Sequence, residues 1–78
     1  MKIRVECYEG YRGQEQPRRL FLGRRQVAVV EIADRWLDPE HRYFKVRGDD
    51  AGLYIIRYDV QDDLWELTLF DRRGNRTG

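Results

Sequence analysis

Arg18-Arg19-Leu20-Phe21-Leu22-Gly23-Arg24-Arg25-Gln26-Val27-Ala28-Val29-Val30-Glu31-Ile32 is a short apolar run, a glycine followed by two arginines, and a longer β-branched run. Two strand-like runs joined through a glycine make a β-hairpin. The one helical possibility lies from Val29 to Leu37, where Ile32, Trp36 and Leu37 approach helical spacing. The β-branched content there favours a strand. A three-residue loop of Gly23, Arg24 and Arg25 sets Leu22 opposite Gln26, Leu20 opposite Ala28 and Arg19 opposite Val29. That register predicts a core stripe of Leu20, Leu22, Ala28, Val30 and Ile32. Arg19, Phe21, Val27, Val29 and Glu31 fall on the other face. A one-residue slip exchanges the faces.

Outward from this hairpin the chain stays strand-like. Ile3, Val5 and Cys7 alternate with Lys2, Arg4 and Glu6 upstream, predicting a strand over Lys2 to Tyr8 with an inert, buried thiol. Glu9 to Gln16 is a polar loop, and Pro17 can open the next strand, where its missing N–H does least harm. Downstream, Leu37-Asp38-Pro39-Glu40 breaks the chain before a strand over Arg42 to Arg47, with Phe44 and Val46 on one face. Gly48 to Gly52 reads as a turn. Leu53 to Tyr58 is apolar on both faces, and Leu64 to Phe70 alternates Trp65, Leu67 and Leu69. The reading is an all-β antiparallel meander of five or six strands. A flat sheet of that size would leave an apolar face wet, so it should curl or close into a small barrel, with a bulge bending the long third strand. Residues 1–71 form the one domain, and 72–78 a charged tail expected to fray.

The 78 residues are 41% hydrophobic and 37% charged, enough for one small core and too few for a two-domain enzyme with an interdomain cleft. The longest apolar stretch, Val27 to Val30, is far below the roughly 20 residues of a bilayer span. The charged N-terminus predicts no signal peptide, so the expectation is a cytoplasmic monomer without membrane contact. The formal charge of +1 is unevenly spread: residues 1–26 hold seven basic and three acidic side chains, residues 27–71 five basic and eleven acidic. Such a field steers a polyanion to one side. Thirteen of the fifteen basic residues are arginine, the better phosphate binder, although GC-rich coding produces the same bias.

Several patterns carry no chemistry. Arg47-Gly48-Asp49 spells an adhesion tripeptide and Asn75-Arg76-Thr77 a glycosylation sequon, but both need an extracellular chain. The acidic turns Asp49-Asp50 and Asp59 to Asp63 lack the ligand spacing of a calcium loop. Cys7, His41 and Asp34 supply a nucleophile, a base and a carboxylate on paper, with nothing in the spacing to bring them together. No catalytic residue, metal site or cofactor is predicted.

The basic-aromatic hairpin stands out. Arg18, Arg19, Arg24 and Arg25 surround Phe21, joining phosphate-binding guanidiniums to a ring on which a base can stack. Arginine near strand ends also serves as protection of sheet edges. Four such contacts on a single strand predict a slope of log affinity on log salt of about −3. The competing expectation is a protein partner, held by strand addition at a sheet edge or on an aromatic surface at Trp36 and Tyr43.

The run Pro17-Arg18-Arg19, Phe21 and Gly23, then Val30 to Trp36, Tyr43-Phe44-Lys45-Val46, Gly52-Leu53-Tyr54 and Trp65-Glu66-Leu67 resembles a family of short uncharacterised bacterial domains. Some members lie beside, or fused to, error-prone Y-family polymerase-like proteins of the mutagenesis response. The likeness spans residues 17–69 and rests on a turn glycine, core aliphatics and aromatics. It implies a β-rich accessory module near DNA metabolism, and no catalytic residues.

Overall fold

Each apolar run bounded by turn residues becomes a strand in the computed structural model, which describes residues 1–8 and 16–71. The strands are β1 (Lys2–Tyr8), β2 (Gln16–Leu22), β3 (Arg25–Leu37), β4 (His41–Gly48), β5 (Leu53–Asp59) and β6 (Leu64–Asp71). Every neighbouring pair is antiparallel, and β1 pairs with β6 through Lys2↔Glu66 and Ile3↔Trp65, closing a six-stranded barrel. The described residues contain no helix long and apolar enough to cross a membrane. The expected frayed tail and most of the Glu9 to Gln16 loop lie outside the described residues.

Leu20, Val27, Phe44, Val46, Tyr54 and Ile56 fill the barrel, with Ile3, Val5, Leu22, Val29, Ile32, Trp65 and Leu67 packed around them. Pro17 joins the interior opposite Cys7. Cys7 lies on the expected face of β1, but half-buried rather than buried, because it sits near the strand's end.

The hairpin register is one residue off the sequence expectation. Leu22 pairs with Arg25, Phe21 with Gln26, Leu20 with Val27 and Arg19 with Ala28. The loop is therefore Gly23-Arg24 alone. Gly23 adopts φ +66° and Arg24 does not share that left-handed conformation, the φ pattern of the II′ turn that matches strand twist. The slip sends Val27 into the core at 1% exposure and leaves Val30 60% exposed. Ala28 goes to the outer face with Arg19, its cross-strand partner. Ile32 still arrives inside, because the pairing of β3 with β4 shifts between Val29 and Glu31, leaving Val30 as the extra residue. A second shift between Ile32 and Asp34 completes the bend expected of the long strand.

A further bulge corrects β6. Ile55 pairs with Leu69 but Ile56 with Leu67, so Thr68 is the unmatched residue, and its hydroxyl donates to the Ile55 carbonyl at 3.0 Å. The alternation reverses there, and Leu69, in phase with Trp65 and Leu67 in the sequence, turns outward at 50% exposure.

The β4–β5 turn locks onto the β2–β3 hairpin. Asp50 accepts from the Gly52 N–H at 2.9 Å, the Tyr54 hydroxyl at 2.5 Å and the Arg25 guanidinium at 2.5 Å. The Asp49 N–H donates to the Ala28 carbonyl at 2.8 Å. A Cβ at Gly48 would collide with Val27 Cγ1, so only glycine admits this approach.

Candidate nucleic-acid interface

The bulge between β1 and β2 decides where the hairpin arginines go. Glu6 pairs with Arg19 but Cys7 with Pro17, leaving Arg18 as the inserted residue. With Leu20 and Pro17 inside, Arg19 and Phe21 share the outer face with Arg4, Glu6 and Tyr8 of β1. Three units follow one another along this face. The Arg18 guanidinium lies 5.3 Å from the Tyr8 ring centroid, Arg19 meets Glu6 at 2.6 Å, and Arg4 lies 4.0 Å over the Phe21 ring. Guanidinium over an aromatic face is a cation–π contact, which orders a planar cation on a planar ring.

Of the five hairpin residues predicted from sequence, Arg18, Arg19 and Phe21 share this face. Arg19 is occupied by Glu6, and Phe21 is half-buried beneath Arg4. Arg24 and Arg25 do not converge with them. Arg25 pairs on the side of Leu22 and reaches across the barrel rim to Asp50, while Arg24 is exposed at the hairpin tip. Arg4, Tyr8 and Lys2 were missed as members. Their alternation in β1 was legible, but their partnership with β2 depended on a pairing register that the sequence left open.

Trp36 and Tyr43 stand apart from this face, on the β3–β4 ribbon. They are cross-strand partners with ring centroids 5.3 Å apart and planes 4° from parallel. Trp36 is 40% exposed, and its neighbour Leu37 is 73% exposed. Tyr43 donates to Asp38 at 3.3 Å. Asp38 also accepts from the backbone N–H groups of Glu40 and His41 at 2.8 and 2.6 Å. These bonds, that from Glu40 foremost, hold its carboxyl below the usual range. The sheet edge considered for strand addition is altered by closure, since β1 and β6 pair at their seam.

His41 lies between Asp38 (Nδ1 to Oδ1, 3.2 Å) and Asp59 (Nε2 to Oδ2, 3.8 Å), so its carboxylate neighbours are these two rather than Asp34. Asp34 accepts instead from the Arg35 N–H at 2.8 Å. Among the described residues no group of three histidine, cysteine or acidic side chains is placed to hold a metal ion.

The class this geometry defines is a small closed β-barrel carrying an arginine-aromatic face. Comparison of the chain with known protein families, curated proteins and solved structures found no match.

Proposed function

We propose that this barrel is a weak, single-strand nucleic-acid-binding module working through the outer face of β1 and β2. The observation that carries the reading is the pair of arginine-aromatic stacks, Arg4 on Phe21 and Arg18 on Tyr8, set on one face with the Arg19–Glu6 pair between them. A base can take the guanidinium's place on the ring, and the displaced arginine can then reach a phosphate. Lys2, Arg4, Arg18 and Arg19 against Glu6 leave this face cationic.

The phosphate contacts then fall to Lys2, Arg4 and Arg18, since Arg19 already holds a carboxylate and Arg24 and Arg25 lie off this face. Three contacts give a salt slope of about −2 on single strands, shallower than the −3 or so expected from four free hairpin arginines. Labelled oligonucleotides titrated near 50 mM salt should bind in the roughly micromolar to millimolar range. Replacing Arg4 and Arg18 together by alanine should flatten the slope by about 1.4. Phe21→Ala should weaken binding without changing the slope. No binding at low salt, or equal affinity in the double arginine variant, refutes the reading.

A protein partner seated on Trp36, Tyr43 and Leu37 is the second reading, favoured by the exposure of Leu37 beside the aromatic stack.

A further inference from the structure

Cross-strand pairing links the two surfaces that the sequence kept separate. From Lys2 the partners run Lys2↔Glu66, Glu66↔Arg57, Arg57↔Tyr43 and Tyr43↔Trp36, across β1, β6, β5, β4 and β3. Cross-strand partners share a sheet face, and Ile3, Trp65 and Ile56 beside them pack against the core, so this row is on the outside. Lys2 is in turn in phase with Arg4, which pairs with Phe21. The only acid in the row, Glu66, is matched by Arg57, whose Nε donates to it at 3.1 Å. That bond, above all, holds the Glu66 carboxyl below its ordinary range and the Arg57 guanidinium above its own, and Tyr43 also bonds Arg57.

We infer that the row is one continuous track for a single nucleic-acid strand, with bases stacking at Tyr8 and Phe21 at one end and at the Trp36–Tyr43 stack at the other. This rests on the nucleic-acid reading of the β1–β2 face and extends it. The track covers about 20 Å along β1 and about 19 Å across four strand-to-strand steps. Its middle is cationic, with Lys2 and Arg4 beside the mutually paired Arg57 and Glu66, and its ends are aromatic. That order suits a polymer whose charge lies on the backbone and whose bases offer a π face. A double strand would hide the bases that the two aromatic ends require. The footprint is about seven nucleotides, within the span of other small barrels.

Oligothymidylates of about 3 to about 12 nucleotides, titrated at about 50 mM salt with affinity and tryptophan fluorescence read together, test this on the full chain. Affinity should climb with length and level off near seven nucleotides, with quenching that Trp36→Phe abolishes. Trp36→Ala should lower affinity for the longest oligomer about tenfold, the contribution of one stacked base, and bring the plateau down to about four nucleotides. Trp36 is exposed, so circular dichroism should match the wild type. Should Phe21→Ala weaken binding while Trp36→Ala leaves every length unchanged, the β1–β2 site stands and the track is refuted; the aromatic stack then belongs to the protein-partner reading. Loss of binding in neither variant, or no binding at all, refutes both.

Discussion

Tyr54 gives the sharpest test of how the barrel holds together. Its ring is in the core at 1% exposure, and its hydroxyl donates to Asp50 at 2.5 Å. Burial, reinforced by the nearby carboxylate, pushes the phenol up to about 12 from the ordinary 10. Because the folded value lies above the unfolded one, the neutral phenol's stabilisation is complete below pH 10. It is lost as pH rises toward 12. The displacement corresponds to about 3 kcal/mol, most of it gone by pH 12. Tyr54→Phe keeps the ring's packing, removes the titration, and costs the hydroxyl's hydrogen bond. Asp50 retains Gly52 and Arg25, so that cost is about 1 kcal/mol. The two proteins should therefore exchange rank. Urea unfolding followed by circular dichroism should find the wild type ahead by about 1 kcal/mol near pH 8 and the variant ahead by 1–2 kcal/mol near pH 12. If both lose stability in parallel above pH 10, the Tyr54–Asp50 bond is not shaping the phenol's ionisation.

Gly48→Ala should destabilise by about 1–3 kcal/mol in thermal or urea melts, because the new methyl overlaps Val27 Cγ1 and lies 2.7 Å from Asp50 Oδ1. Glu6→Gln should release Arg19 and steepen the oligonucleotide salt slope by about 0.7, measured against the wild type over the same salt range. In acid, Asp50 contributes a loss of stability: burial alone would raise its carboxyl, but the Tyr54 and Gly52 bonds and the Arg25 charge outweigh that and hold it low. Its contribution is present above about pH 4 and falls away as pH drops through the lower folded value. Asp38, held low first by the Glu40 N–H, behaves with the same sign, and Asp38→Asn should show a flatter melting-temperature profile between neutral and acid pH.

Local pattern carried the strand content. The alternation of Ile3, Val5 and Cys7 matches the half-buried face of β1, and Phe44 with Val46 matches the buried face of β4. Turn residues marked the breaks at Gly23, Asp38-Pro39 and Gly48 to Gly52, because glycine, proline and aspartate favour chain reversal through their own backbone and side-chain geometry. These are short-range preferences, so one sequence expresses them. The closure of six antiparallel strands follows from the same pattern, since it covers an apolar face that a flat sheet would expose.

What the local pattern could not decide was phase. Gly23 and the two arginines after it admit a two- or a three-residue loop, and the choice exchanges Val27 for Val30 in the core. It turns on the approach of Gly48 to Val27 and the grip of Asp50 on Arg25, contacts between segments more than twenty residues apart. The bulges at Arg18, Val30, Ala33 and Thr68 are likewise set by strand pairing and not by composition. They determine that Arg19 is claimed by Glu6, that Arg4 lies over Phe21, and that Trp36 comes into line with Lys2. Composition and alternation determine which residues can make a strand and which face is greasy. Only the closed barrel determines which charges meet, because a one-residue change in register moves every side chain on a strand to the opposite face.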